Sequence, residues 1–313
     1  IQLTEGDFNH AGAISWTTDS KAIYFSANRH ADWQSKPLNS EIFQLTLADR
    51  KLTQLTDRNG PDARPQLSPD GKWIAYVGFD DRKLAHQANR LYVMNSDGSN
   101  IRNLTEDLDR AIDDFQWLPN SKALYISYDS EGKGILAEQA LSGKRSIITE
   151  DIGGGSYGRP YSGGQFAAAD NGLIAYTQMN TQTPAELAVI HKRKKQTLTQ
   201  LNADLLFAND IGKVEEFWYS SSVDQRKLQG WIIYPPAFDA SKKYPVVLFL
   251  HGRGESGNDN QKQLANGGKL FLSDNYRKNH PSIVIFPQCA EDSYWANVEI
   301  ETVSNKRFFN FVK

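Results

Sequence analysis

The sequence predicts a β-propeller of about four blades, itself part of a larger ring, followed by the first part of an α/β domain. Two observations predict this fold. A pattern of short strands and turns repeats every ~50 residues over the first two thirds of the chain, which is the spacing of propeller blades. After it, a buried strand runs into a glycine-rich turn. We therefore assign residues 1–206 to the propeller and residues 207–313 to the second domain.

Four turns define the repeat. They are centred on Asp19, Asp70, Asn120 and Asp170, which lie 51, 50 and 50 residues apart. Each turn leads into a strand rich in β-branched and aromatic residues, and two further strands follow before the next turn. Such runs, separated by Asp-Gly, Asn-Gly or Asn-Ser, predict antiparallel hairpins. The predicted strands are residues 22–26, 41–47 and 51–56; 73–78, 90–96 and 101–105; 123–128, 135–141 and 145–149; and 173–178, 186–192 and 198–202.

The first residues resemble the end of a repeat. IQLTEGD, residues 1–7, is similar to TQLTDRN, residues 53–59. This similarity predicts that the chain begins on the last strand of an earlier blade. We therefore expect a larger propeller that is truncated at this end.

The second domain opens with a predicted hairpin over residues 214–238, whose second strand ends at a pair of prolines. The apolar runs VVLFL, residues 246–250, and SIVIF, residues 282–286, are typical of parallel strands buried on both faces. Between them, residues 261–265 and 269–278 have helical character. A final helix is predicted over residues 302–312. Buried strands that alternate with helices indicate an α/β fold.

The first 250 residues resemble the prolyl oligopeptidase family, in its acylaminoacyl-peptidase-like branch. The stretches that carry this resemblance are SPDGKWIAYVGFDDR, LYVMNSDGSN and GRPYSGG in the repeats, and WIIYPP with YPVVLFLHG after them. In that family, a propeller that restricts access to short peptides precedes an α/β-hydrolase domain. The resemblance implies that His251, Gly252, Arg253 and Gly254 form the turn of the oxyanion hole. Glycines let backbone N–H groups approach a developing oxyanion closely.

Residues 158–164, GRPYSGG, also belong to this resemblance. Within them, Arg159 and Tyr161 are candidate contacts to a substrate from the loop between two blades. The alternative is that both residues serve only to join the blades.

The resemblance changes near Leu250. The prolyl oligopeptidase pattern continues with His-Gly-Gly-Pro, whereas this chain has HGRGESGNDNQKQLANGG and later IVIFPQCAEDSYW. These stretches resemble small single-domain α/β-hydrolases of the esterase or predicted-peptidase type. The chain therefore combines resemblances to two different groups of proteins, which meet near Leu250. The second resemblance makes a carboxylesterase the first alternative function. A propeller that binds peptide or protein without catalysis is the second.

No serine in the chain has the setting of a nucleophile. The one Gly-x-Ser-x-Gly match, Gly154–Gly158 around Ser156, lies in the repeats and precedes the oxyanion strand, which is the wrong order for this fold. Ser256 lies in the glycine turn and not on a strand-to-helix elbow. Cys289 has no basic neighbour to lower its pKa, and the last histidine is His280. We expect the Ser-Asp-His triad to lie beyond residue 313 and the chain to be inactive by itself. Ser273, Ser282, Ser293 and Ser304 lack flanking glycines.

Composition limits the partners. The formal net charge of −2 gives no electrostatic reason to expect nucleic acid or an anionic membrane. We expect a short peptide or ester substrate, no cofactor and no metal ion.

One cysteine allows no internal disulfide. We expect a periplasmic or secreted location over a cytoplasmic one. The incomplete hydrolase sheet would expose an apolar face, through which we expect a second copy to pair.

Overall fold

A computed structural model describes residues 2–10, 12–154, 163–208, 211–234, 238–257, 261–289, 295, 298–303 and 306–311. The chain divides into two compact units, Ile1–Asn209 and Asp210–Lys313. Among the residues described, no helix has the length and apolar character needed to cross a bilayer.

Each repeat of the first unit forms one antiparallel sheet, and we number these sheets 1 to 4. The predicted hairpins are confirmed, and each repeat also has a short strand before its central turn. Whether the four sheets belong to a closed propeller ring stays a prediction. Sheet 1 contains β1 Asn9–His10, β2 Ser15–Trp16, β3 Ala22–Asn28, β4 Glu41–Thr46 and β5 Leu52–Gln54; sheet 2 contains β6 Asp62–Leu67, β7 Trp73–Gly78, β8 Arg90–Asn95 and β9 Arg102–Asn103; sheet 3 contains β10 Asp114–Trp117, β11 Ala123–Ser130, β12 Lys133–Ala140 and β13 Arg145–Thr149; sheet 4 contains β14 Phe166–Ala168, β15 Ile174–Asn180, β16 Thr183–His191 and β17 Lys194–Thr197.

Neighbouring sheets share apolar cores. The core between sheets 2 and 3 is the largest, and Leu91, Phe115 and Leu124 lie in it with almost no exposed surface. Smaller cores join sheet 1 to sheet 2, around Tyr76, and sheet 3 to sheet 4, around Tyr176. Because strand side chains alternate between faces, each sheet can contribute to the cores on both of its sides.

Polar side chains tie the short strand before the central turn of one sheet to the corresponding strand of the next. The Gln66 amide donates to the Phe115 carbonyl at 3.1 Å. The Gln116 amide donates to the Ala168 carbonyl at 2.7 Å and accepts from its N–H at 2.9 Å. Ser15 Oγ accepts from Leu67 N at 2.9 Å. These bonds satisfy backbone groups that have no strand partner of their own.

The predicted closing strand of the fourth repeat, residues 198–202, is wrong. The strand is β17, Lys194–Thr197, and Thr199 follows it. Thr199 Oγ accepts from Leu187 N at 2.8 Å. Thr56 and Thr105 accept in the same way from Ile42 N and Leu91 N, each at 2.9 Å. This threonine therefore marks the same structural position in the three repeats. In the fourth repeat that position is occupied by Leu198-Thr199, whereas the prediction had assigned it to Leu201-Asn202.

The strand expected over residues 1–7 is also wrong, because residues 2–8 contain no strand. The first strand is β1, in which Asn9 and His10 pair with Asn28 and Ala27. A strand needs a neighbour to complete its ladder, and residues 2–8 make no ladder bonds.

The second unit contains a hairpin and a small α/β region. The hairpin is confirmed, with Glu216 opposite Trp231. The two apolar runs form a parallel pair, in which Val247 lies opposite Val284. Ser273 ends one helix and starts the next, accepting from Tyr276 N at 3.3 Å, so the predicted helix over residues 269–278 is two short helices. The elements are α1 Ala203–Ala208 at the end of the first unit, then β18 Val214–Ser220, β19 Lys227–Ile233, β20 Val246–Leu248, 3-10 turns Arg253–Glu255 and Lys262–Leu264, α2 Gly268–Leu272, α3 Asp274–Asn279 and β21 Ile283–Ile285.

The predicted final helix over residues 302–312 is wrong. The segment is a hairpin of β22 Val298–Val303 and β23 Lys306–Phe311. Its sequence, VEIETV followed by Ser-Asn and KRFFNF, is rich in β-branched and aromatic residues on either side of two turn-forming residues. That is a strand pattern, and it outweighs the weak helical character of the charged residues.

Candidate functional site

The glycine-rich turn follows β20 directly. Phe249 N donates to Ile285 O at 2.9 Å, which extends the pairing beyond the regular strands. The chain then leaves the sheet and makes the 3-10 turn Arg253–Glu255. Gly257, with φ of 157°, ends the turn, and its N–H donates to Cys289 O at 2.8 Å. The turn is therefore anchored to the segment that follows β21.

His251 holds this turn in place. Its ring is 4% exposed. Nε2 accepts from Cys289 N at 2.9 Å, and Nδ1 lies 2.6 Å from Gly252 O. Since a carbonyl oxygen only accepts and an amide N–H only donates, the proton of the neutral ring must sit on Nδ1. Trp295 Nε1 also donates to His251 O at 2.8 Å. Both ring nitrogens are thus used structurally, so His251 orders the turn.

The turn presents backbone donors. In the described part of the chain, the N–H groups of Gly252 and Gly254 have no acceptor. The space where a side chain of Gly254 would lie is open, whereas Glu255 Oε2 lies 3.1 Å from the corresponding position at Gly252. Such N–H groups can donate to a carbonyl oxygen that becomes negative during acyl transfer. Arg253 is part of the same turn, and the oxyanion role of these residues stays a prediction.

The structure describes only some of the other candidate residues. Arg159, Tyr161 and Ser156 lie outside the described residues. Ser256 is buried, but its hydroxyl makes no hydrogen bond with a histidine among the residues described. Ser273 caps α3, the Ser282 hydroxyl donates to His280 O at 3.1 Å, and Cys289 is buried. Ser293 and Ser304 also lie outside the described residues.

We expect the His251→Ala variant to lose about 2–3 kcal/mol of stability in the second unit, because two buried hydrogen bonds and their packing disappear. The Cys289 amide should exchange with solvent much faster, as measured by hydrogen-exchange mass spectrometry. The His280→Ala variant is the matched control, since that ring is exposed at the end of α3. Unchanged exchange at Cys289 in His251→Ala would contradict this role.

A group of acidic side chains, which the sequence did not single out, is buried between sheets 1 and 2. Glu41 is fully buried and accepts from Thr56 Oγ at 2.6 Å. Asp62 is 1% exposed; Oδ1 accepts from Arg58, and Oδ2 has no hydrogen-bond partner among the residues that the structure describes. Burial raises the pKa of Glu41 to about 7, helped by the negative charges of Asp62 and Asp57 and opposed by the Thr56 hydroxyl. Burial likewise raises the pKa of Asp62 to about 6, against the attraction of Arg58.

Comparison with known proteins points to peptidases. No protein-family model matches the chain. It is similar to dipeptidyl-peptidase 5 of Porphyromonas gingivalis, with 26% identity over 248 residues, which are 76% of this chain and 34% of that protein. Dipeptidyl-peptidase 5 of Aspergillus fumigatus is 28% identical over 204 residues, which are 64% of this chain and 27% of that protein. The chain thus spans about a third of the length of the curated relatives it matches.

A solved structure shares the fold. The acylaminoacyl peptidase of Pyrococcus horikoshii has a TM-score of 0.52 and 20% identity, over 78% of this chain and 35% of that one. The sequence matches support a peptidase family, and the structural match supports the arrangement of consecutive antiparallel sheets.

Proposed function

We propose that this chain is the propeller and the first part of the hydrolase unit of a serine peptidase of the prolyl oligopeptidase type, acting on short peptides. One observation carries the proposal: a parallel strand, β20, runs into a turn that His251 fixes and that leaves the N–H groups of Gly252 and Gly254 unused among the described residues. The similarity to dipeptidyl-peptidases over three quarters of the chain supports the peptide substrate.

The proposed chemistry is acyl transfer through a covalent intermediate. When a serine attacks the scissile carbonyl, the carbonyl oxygen becomes negative and needs donors that are already in place. The turn after β20 supplies one donor from Gly252 or Gly254, and the residue after the nucleophile supplies the other. Sheets 1 to 4, completed by further sheets into a ring, would restrict access to short substrates.

The nucleophile and its acid and histidine partners are proposed to lie outside these 313 residues. His251 cannot replace the triad histidine, because both of its nitrogens are engaged by backbone groups. The 313-residue chain by itself is therefore proposed to turn over neither peptides nor esters.

Capture of the native protein from its source tests this function. Antibodies raised against residues 12–154 would isolate whatever protein carries this chain, and a fluorophosphonate probe would then be added. We expect a labelled serine and release of dipeptides from fluorogenic peptide substrates. Ester hydrolysis without peptide hydrolysis would favour the carboxylesterase, and peptide binding without labelling would favour the non-catalytic propeller.

We also propose that a second copy covers the open face of the small parallel sheet. Val246, Leu248 and Leu250 are each about half exposed or more, and Ile283 and Ile285 are similarly open. The opposite face is covered by contacts such as that between the rings of Phe249 and Phe271, at 5.9 Å. Parallel strands are normally covered on both faces.

Sedimentation velocity tests this pairing. The wild-type chain is expected to self-associate, and the Leu248→Lys variant is expected to be monomeric. Leu272→Lys is the matched control, because Leu272 is also exposed but lies in α2. A monomeric wild-type chain would contradict the proposed pairing.

A further inference from the structure

A cavity of about 810 Å³ lies at the end of sheets 2 and 3 where their long connections meet. Its wall includes Phe79, Arg82 and His86 from the connection between β7 and β8, and Tyr92 from β8. Asp113, before β10, and Asp129, near the end of β11, line it from sheet 3. This volume is within the range of sites that hold small organic ligands.

The wall of the cavity is braced by hydrogen bonds. The side chain of Gln87 accepts from Arg82 N at 2.7 Å and donates to Asp81 Oδ1 at 3.0 Å. These two bonds hold the two ends of residues 81–87 together within the connection between β7 and β8. Ile112 N donates to Asn89 O at 2.9 Å and ties this connection to the segment that leads into β10. The cavity is therefore formed before any ligand arrives, which lowers the entropic cost of binding.

Two carboxylates in this cavity have no partner. Asp113 and Asp129 are both accessible, and neither carboxylate forms a hydrogen bond or ion pair in the described part of the chain. The cation nearest to Asp113 is already engaged, since Arg64 donates to Asp113 O at 2.7 Å and to the carboxylate of Asp114. Partial desolvation, and next the negative charge of Asp129, raise the pKa of Asp113 to about 6, against the attraction of Arg64. The cavity thus holds negative charge that the protein does not neutralise.

The same cavity also carries positive charge. The guanidinium of Arg82 and the ring of His86 have no partner among the described residues. Unpaired carboxylates and an unpaired guanidinium around one cavity complement a ligand that has both an ammonium group and a carbonyl oxygen. Peptide-like amines have both groups.

We propose that this cavity binds a peptide-like ligand through a primary ammonium group, which Asp113 and Asp129 share. An ammonium group has three donors, so it can bind two carboxylates at once. A calcium ion would need six to eight oxygen ligands, and the described residues contain no group of three or more acidic, histidine or cysteine side chains placed for a metal. The ammonium could come from a lysine side chain or from a free peptide amino terminus. This proposal does not depend on the proposed peptidase function.

Titration calorimetry on the complete 313-residue chain tests it with three probes. Nα-acetyl-lysine amide offers only a side-chain ammonium, glycylglycine amide offers only a terminal one, and Nα,Nε-diacetyl-lysine amide offers neither. We expect at least one amine to bind and the diacetylated compound not to bind. The amine that binds identifies the source of the ammonium group.

The variants Asp113→Asn and Asp129→Asn should each weaken binding of that amine by about tenfold or more, because each removes a charged hydrogen-bond partner. The control is Asp97→Asn, which makes the same change of charge in a turn outside the cavity, where Oδ1 accepts from Ser99 N at 2.9 Å. Thermal unfolding of each variant would establish that it folds, and using two aspartates keeps the test valid if one variant does not.

Three results would overturn the proposal. The first is no binding of either amine, or equal binding of the diacetylated compound. The second is a loss in Asp97→Asn as large as in Asp113→Asn and Asp129→Asn. The third is calcium binding that requires Asp113, since the ligand would then be a metal ion.

Discussion

The Phe115→Ala variant is expected to lose about 3–5 kcal/mol of the free energy of unfolding, the range observed when large core side chains are truncated. Phe115 is 1% exposed and packs in the core that sheets 2 and 3 share. Its ring also lies 5.3 Å from the guanidinium of Arg64, so a cation–π contact between the two sheets is lost as well. Urea unfolding followed by tryptophan fluorescence measures the change, since Trp117 belongs to the same core.

Phe207→Ala is the matched control, because Phe207 lies in α1 with 96% of its surface exposed. We expect that variant to change stability by about 0.5 kcal/mol or less. Equal effects of the two substitutions would show that sheets 2 and 3 do not bury a common core.

The second large effect is on the pH dependence of stability. Burial raises the pKa of Glu41 from its ordinary value of 4.5 to about 7 in the folded chain. Between these values the folded state binds a proton that the unfolded state does not bind, so stability falls as pH rises from about 4.5 to 7. The total loss is about 3 kcal/mol. Asp62, whose pKa is raised to about 6, adds a loss of the same sign.

The Glu41→Gln variant should remove much of this pH dependence. Urea unfolding at pH 5 and pH 8 should show the variant more stable than the wild type at pH 8, with a smaller difference between the two pH values. A residual slope is expected from Asp62 and Asp113, whose pKa values are also raised. If Glu41→Gln keeps the full slope of the wild type, the buried proton does not lie on Glu41.

Glu186 occupies the equivalent position in sheet 4 and is the natural comparison. Burial favours its neutral form, but hydrogen bonds from Thr199, Leu201 N, Asn202 N and the Asn202 amide outweigh burial and lower its pKa to about 2. Its contribution to stability is therefore present above pH 4.5 and is lost as pH falls towards 2. At pH 8, Glu186→Gln should destabilise the chain, because its NH₂ group would face backbone donors. The same substitution thus has opposite expected signs at Glu41 and Glu186.

Much of the first unit could be predicted from the sequence because its strands repeat in phase. The turns at Asp19, Asp70, Asn120 and Asp170 located four sheets, since local turn residues and strand-forming residues agree there. The fourth closing strand was misplaced because TLTQLN, residues 197–202, offers two similar dipeptides, Leu198-Thr199 and Leu201-Asn202, to align with the Leu-Thr of the other repeats. Only the bond from Leu187 N to Thr199 Oγ separates them.

The features that the sequence could not predict are contacts between distant segments. Nothing local to Glu41 indicates that the negative charge of Asp62 lies near it. Asp113 and Asp129 come together only when β10 pairs with β11. The role of His251 was partly predictable from its place beside the glycine turn. Its partner Cys289 is 38 residues away, and the bond to its N–H depends on the parallel pairing of β20 with β21.

We propose that this chain carries the oxyanion side of a serine peptidase and not its nucleophile. The most direct measurement is fluorophosphonate labelling of the purified chain, followed by intact mass. We expect a species of 35.2 kDa that carries no label. A labelled species of that mass would contradict it, and Ser156 and Ser256 would then be the first residues to replace by alanine.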